Sequence, residues 1–174
     1  MLTCKKQSVM IKRMLPLAIL ALGLFLVNAT SGTAEFEYIG AAKCKMCHNK
    51  PPKGQQFNQW AKTPHANAMK SLKGDEAKDP KCLKCHATAG HVKKDLIQTL
   101  TVEEGVSCET CHGPGSVYKT ATIMKDRAKS LANGMIIPDE KLCRTCHNQE
   151  SPTFKGFDYK TALPLVMHPD PTLQ

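Results

Sequence analysis

The pentapeptide Cys-x-x-Cys-His is written four times in this 174-residue chain, and no other feature restricts its fold as much. The copies are Cys44, Cys47, His48; Cys82, Cys85, His86; Cys108, Cys111, His112; and Cys143, Cys146, His147. In this frame two thiols add across the vinyl groups of a haem and the adjacent imidazole takes the iron. A redox Cys-x-x-Cys needs no histidine after it. Paired Cys-x-x-Cys zinc sites would leave four histidines idle, and a disulfide closing so short a loop is strained. The repeats therefore predict four covalently bound c-type haems, held by eight of the nine cysteines. The motif starts lie 38, 26 and 35 residues apart, so the sites are not copies of one fixed unit.

The N-terminus reads as an export leader. Lys5, Lys6, Lys12 and Arg13 precede an apolar run, Leu15 to Val27, that is short for a membrane span. Gly32-Thr33-Ala34 offers small residues for cleavage before Glu35, with Val27-Asn28-Ala29 as the second choice. The organisation expected is a signal peptide over 1–34 and one tetrahaem domain over 35–174, periplasmic or extracellular, with no stable membrane insertion after cleavage. Cys4 falls in the leader and has no assigned role. The sequence carries a net charge of +9, and the leader holds four basic and no acidic residues, which leaves +5. Four oxidised haems with ionised propionates bring this to about +1. The basic balance thus offsets propionates, and no basic-aromatic stripe points to nucleic acid.

One Trp, five Phe and three Tyr are a thin supply for a core of this length. Porphyrin faces make up the deficit, so the fold class expected is mainly α with extensive loops, organised around stacked haems. Residues 35–43 read as an irregular lead-in with a turn at Gly40, and 50–54 as a loop. Thr63, Pro64 and Gly74 punctuate a helix over 63–74. Residues 75–80 read as linker and 101–107 as a short approach to the third motif. Residues 123–133 suit a helix stopped by Gly134. A last helix over 158–168 is broken or restarted at Pro164.

Four irons take His48, His86, His112 and His147 on one face. Three histidines remain for the other face: His65, His91 and His168. If all three serve, three haems have two imidazoles and one does not. His91 lies five residues beyond His86, a reach of about 17 Å at most, so a neighbouring haem is its easier target. The fourth iron takes a thioether from Met46, Met69, Met124, Met135 or Met167, another weak ligand, or none. A thioether would raise its potential, and an open face would admit nitric oxide.

The stretches "QWAKTPHANAMKSLK", "CLKCH", "GVSCETCHGPGS" and "CRTCH", followed by a late histidine, resemble the tetrahaem cytochrome c-554 family over residues 38–168. The Trp60 block and the Cys-His-Gly-Pro-Gly run are the specific parts. The resemblance implies three haems with paired imidazoles, one five-coordinate haem, and close stacked pairs. It also implies electron transfer from hydroxylamine oxidoreductase toward a respiratory chain. By position His65 and His168 match distal ligands of that family. The family's third distal histidine follows the Gly-Pro-Gly run, where this sequence has none; Tyr118 and Met124 stand nearest, and His91 is additional. Gly113 and Gly115 permit a tight turn after His112, which reads as the place where a second porphyrin approaches; an ordinary surface turn is the alternative.

Three functions are compatible with these residues. The first is a periplasmic electron-transfer protein between a redox donor protein and a redox acceptor protein. The second is a haem enzyme acting on nitric oxide, hydroxylamine or a similar molecule at one open haem. The third is a homo-oligomer, a subunit of an extracellular haem filament. Beyond Tyr118 and several lysines no catalytic side-chain set supports the second, and nothing in the sequence requires the third.

Overall fold

The computed structural model describes residues 35–171, which belong to one compact unit. The expected leader, with Cys4, lies outside the described residues. Eight short α-helices occur among them: α1 Ala41–His48, α2 Gln56–Ala61, α3 Pro80–His86, α4 Cys108–His112, α5 Ala121–Met124, α6 Arg127–Ala132, α7 Glu140–Arg144 and α8 Tyr159–Val166. Single 3-10 turns fill much of the rest. Pairing of strands is limited to one isolated parallel bridge, Tyr38 with Ile97, among the described residues. The mainly α, loop-rich class expected from the sequence is what forms. No helix among the described residues is long and apolar enough to cross a membrane.

The helices start where short acidic side chains stop the chain from continuing as loop. The carboxylates of Asp79, Asp126, Asp139 and Asp158 accept from free backbone N–H groups at the starts of α3, α6, α7 and α8. Pro80 takes the first position of α3, where its missing N–H costs nothing. Pro164 is inside α8, which ends at Val166, so His168 stands just beyond the helix.

Three expected elements differ in detail. The helix expected over 63–74 is a run of turns followed by one 3-10 turn, Ala68–Ser71. Here polar side chains compete for the backbone: Thr63 Oγ1 donates to the carbonyl of Trp60, and Asn67 Nδ2 donates to those of Ala61 and Thr63. The stretch read as linker contains a 3-10 turn, Gly74–Lys78, and runs into α3. The helix expected over 123–133 is two, because Asp126 starts α6 anew and the buried Ser130 hydroxyl donates to the Ile123 carbonyl across the corner.

The apolar core is as small as the composition implies. Ile39, Ala41, Ala87, Leu100 and Tyr118 are its buried members, and Gln56, Thr88, Ser107, Glu109 and Ser130 are buried beside them. Polar contacts therefore organise the centre. Glu109, the first residue between the two cysteines of the third motif, is 1% exposed. Its carboxylate accepts from the backbone N–H of Ile39, at 2.9 and 3.0 Å, of Gly40 at 2.8 Å and of Gly115 at 2.7 Å. Burial raises its pKa, and these three N–H groups pull it back only in part. Glu104 accepts from the N–H of Ala41 at 2.8 Å, so α1 begins against two carboxylates. The first and third motifs are thereby held together through backbone.

Gly-Pro-Gly serves the same junction. Gly113 has φ +78°, and a Cβ there would run into the carbonyl oxygen of Gly134. A Cβ on Gly115 would lie 3.0 Å from Ile39 Cδ1 and 3.2 Å from Glu109 Oε1. The close approach that these glycines permit is to the protein's own chain. The Tyr118 hydroxyl closes the turn by donating to the carbonyl of Gly113 at 2.9 Å.

Replacing Glu109 by Gln puts an NH2 group against N–H donors. Each donor left unpaired costs about 1–3 kcal/mol. Glu109→Gln is expected to destabilise the protein by roughly 2–4 kcal/mol in denaturant unfolding followed in the haem absorption band. A variant as stable as wild type would show that the junction does not depend on this carboxylate.

Candidate haem centres

Three of the four motifs occupy helices that end on their histidine: α1 at His48, α3 at His86 and α4 at His112. The fourth begins in α7 and finishes in a turn, with the N–H of His147 donating to the carbonyl of Cys143 at 3.0 Å. One helical turn sets both thiols and the imidazole on neighbouring positions, as the attachment chemistry needs. None of the eight motif cysteines is paired in a disulfide. Among the described residues no group of three or more His, Cys, Asp or Glu converges on one point, so the thiols do not form a zinc-type cluster.

Two imidazole pairs are assembled from distant parts of the chain. His65 faces His147 with ring centres 5.9 Å apart, and His112 faces His168 at 6.0 Å. Two metal–nitrogen bonds of about 2 Å plus roughly 1 Å from each nitrogen to its ring centre add to about 6 Å. Each pair joins a motif histidine to a non-motif one, at a ring separation that suits one iron.

The supports of the four rings can be traced. The carbonyl of His65 accepts from the N–H of Val106 at 3.0 Å, and Trp60 Nε1 donates to the carbonyl of Val106 at 2.9 Å. Gly105, at φ +66°, lets this approach happen, since a Cβ would lie 2.7 Å from the carbonyl oxygen of His65. On the other side of that pair Phe157 stacks on His147 at 4.7 Å and 14°, and Arg144 lies over the phenyl ring 5.5 Å from its centre. His168 is brought to His112 by the segment after α8. Pro169 and Pro171 pack on Gly54, Asp170 pairs with Lys53 at 3.4 Å, and His168 Nδ1 lies 2.8 Å from the carbonyl of Val166. That bond leaves Nε2 for a metal.

The imidazoles are kept in the neutral form that metals bind. Burial, then the neighbouring imidazoles of His168 and His48, bring His112 down to about 4. Burial and then His147 lower His65.

His86, His48 and His91 stand differently. His86 Nδ1 lies 3.0 Å from the carbonyl of Ala68 and 3.2 Å from Ser71 Oγ, which again leaves Nε2 clear. No second imidazole faces His86 or His48 in ring contact among the described residues. Burial lowers the pKa of His91, and the backbone of Ala87 and of Lys84 opposes that shift. A Cβ on Gly90 would lie 2.3 Å from the carbonyl oxygen of Leu83, so the turn before His91 packs closely on α3. Tyr118 is buried beside Cys44 and Cys108, with its hydroxyl committed to Gly113.

Thiols of different motifs also meet. The neighbouring thiol of Cys44, then burial, raises Cys108, and burial, then Cys143, raises Cys111. Burial, then Cys146, pushes Cys85 up to about 11. Beside the fourth motif lies a cleft of about 310 Å³ floored by Ile136, Ile137 and Leu142, with Asp139, Lys141 and Thr145 at its rim. Ile136 and Ile137 are 42% and 54% exposed, and Leu165 is 80% exposed. Apolar side chains left open around attachment thiols fit a flat apolar group lying against them.

The support residues were invisible to motif reading. Glu109 and Gly105 had one available signal each: Glu109 is the only acidic residue between motif cysteines, and Gly105 interrupts a run of ordinary residues before the third motif.

Residues 43–113 match the family model described as "Cytochrome c554 and c-prime". A curated relative, "Cytochrome c-554" of Nitrosomonas europaea, is 30% identical over 182 aligned positions, covering 83% of this chain and 73% of its own length. No solved structure matches the chain. With four attachment motifs, paired imidazoles and this degree of likeness, the chain belongs to the cytochrome c-554 family of electron-transfer proteins with covalent c-type haem.

Proposed function

We propose that the protein carries four haems, one on each motif, and relays electrons between two redox proteins outside the cytoplasm, with residues 1–34 as the export leader. The observation that carries this reading is the pair of imidazole couples, His65 with His147 and His112 with His168. Iron held between two imidazoles has no free position for substrate, and it changes by one electron between ferric and ferrous states. The protein's own part is to hold the rings at fixed separation, exclude water and set the charge around them.

In this reading the eight cysteines attach the haems, and His48, His86, His112 and His147 are the proximal ligands. His168 completes the third-motif haem and His65 the fourth. The mutual influence of thiols from different motifs, Cys44 with Cys108, Cys111 with Cys143 and Cys85 with Cys146, supports an order in which the first haem neighbours the third, the third the fourth, and the fourth the second. Electrons then enter or leave at the first and second motifs. Lys43, Lys45, Lys81 and Lys84 are exposed around these two, so redox partners with acidic faces dock there.

Three measurements test the reading. Intact mass of the denatured mature protein is expected to exceed the polypeptide by four haems; three or fewer in fully matured protein rejects the count. His65→Ala and His168→Ala are each expected to turn one low-spin haem high-spin in the electron paramagnetic resonance spectrum of the oxidised protein. Unchanged spectra in both variants would falsify the ligand assignment. Gly105→Ala is expected to weaken the His65 bond and give a partial high-spin signal. Gly74→Ala is the control, because Gly74 also has positive φ but open space at its Cβ position. Equal effects in the two glycine variants would show that backbone strain alone, not the contact with His65, is responsible.

A further inference from the structure

The imidazole of His147 touches two other rings. His65 lies 5.9 Å away and tilted by 60°, and Phe157 lies 4.7 Å away and nearly parallel, at 14°. The geometry points to Phe157 as a positioning residue for the fourth haem: its ring sets the plane of the His147 imidazole, and Arg144 holds Phe157 there from inside the attachment motif. The inference rests on the haem reading above and deepens it, by naming the residues that orient one of its ligands.

An imidazole bound to a metal through Nε2 keeps one freedom, rotation about the metal–nitrogen bond. A stacked ring removes it. Turning His147 about that bond would drive an edge of the imidazole into the phenyl face that lies parallel to it. Ligating imidazoles are commonly oriented by a hydrogen bond to the other ring nitrogen. His86 and His168 follow that pattern, with Nδ1 at 3.0 and 2.8 Å from the carbonyls of Ala68 and Val166. At His147 Phe157 does by contact what those carbonyls do by hydrogen bonding.

Phe157 is itself fixed by its surroundings. Gly156, just before it, turns the chain at φ +102°, which a residue with a side chain rarely adopts. Asp158, just after it, starts α8 by accepting from the N–H of Thr161 at 2.8 Å. Arg144 is the first residue between the cysteines of the fourth motif. Its guanidinium lies 5.5 Å from the centre of the phenyl ring, and its Nη2 donates to the carbonyl of Phe157 at 3.4 Å. Glu140, one turn earlier on α7, accepts from Arg144 Nε at 2.8 Å and pairs with Nη2 at 2.6 Å. Both partners are half-exposed, so the pair adds little to stability. Its effect is geometric: it joins the helix that carries Cys143 to the ring that sets the imidazole plane.

The highest g value of a low-spin ferric haem follows the angle between its two imidazole planes. The electron paramagnetic resonance spectrum of the oxidised, haem-loaded protein therefore reads the orientation directly. His65→Ala first identifies the signal of the His65–His147 couple by removing it. Phe157→Leu keeps apolar bulk and loses the flat face; that same signal is expected to broaden and move, with the other low-spin signals unchanged. Phe157→Tyr keeps the ring and is expected to retain the wild-type position and width. Arg144→Gln leaves the ring without its anchor and is expected to broaden the same signal by less. An unchanged signal in Phe157→Leu overturns the inference, and so does a change in all low-spin signals together or a Phe157→Tyr spectrum as altered as that of Phe157→Leu. Should Phe157→Leu not fold, Arg144→Gln decides, and an unchanged signal there overturns the inference. A His65→Ala spectrum that loses no low-spin signal overturns the couple itself, and this inference with it, so the two failures are told apart.

Discussion

Everything in this protein is hung on a buried carboxylate that binds backbone. Glu109 sits within the third attachment motif and collects N–H groups from Ile39, Gly40 and Gly115. Those three groups belong to the approach to the first motif and to the turn after the third. A protein with five buried apolar side chains among its described residues has little hydrophobic cohesion to spare. Charge-assisted bonds of this type are about twice as strong as neutral ones, and their directionality fixes orientation where packing of side chains would leave slack.

The same economy explains the helices. Each is only one or two turns long, too short to be stable alone, and four of them are opened by an aspartate. Buried hydroxyls do what larger proteins do with leucines: Thr88 ties the end of the second motif to the start of the third, and Ser130 closes the corner of α5 and α6. Apolar surface meanwhile remains open at Ile136, Ile137 and Leu165. The polypeptide is a polar frame with apolar side chains left open at its surface.

What was legible in the sequence is what depends on local spacing. Cys-x-x-Cys-His needs one helical turn, so the motifs and the mainly helical class could be read directly. The stock of seven histidines could be counted, but not their couples, because His65 and His147 lie in separate thirds of the chain and only the fold joins them. The helix expected over 63–74 looked well punctuated, yet Thr63 and Asn67 bond to nearby carbonyls and hold the stretch in turns. Glu109 looked like an arbitrary spacer between two cysteines. Its partners are backbone N–H groups, which every residue has and no sequence pattern marks. Gly-Pro-Gly suggested a close approach; which surface approached was a property of Gly134 and Ile39, and the motif itself says nothing of them.

The dependence of His168 on the segment after α8 has a consequence for how the protein is made and how it ages. Synthesis runs from the N-terminus, and His168 is the last of the seven histidines to leave the ribosome. His112, with Glu109 and the Gly-Pro-Gly turn, is in place long before it. The third motif's imidazole thus waits with its far side bare until Pro169, Asp170 and Pro171 settle on Lys53 and Gly54. A protease cutting at the end of α8 would return the mature molecule to that stage. The frame around Glu109 would survive the cut, while His112 would lose the imidazole that faces it.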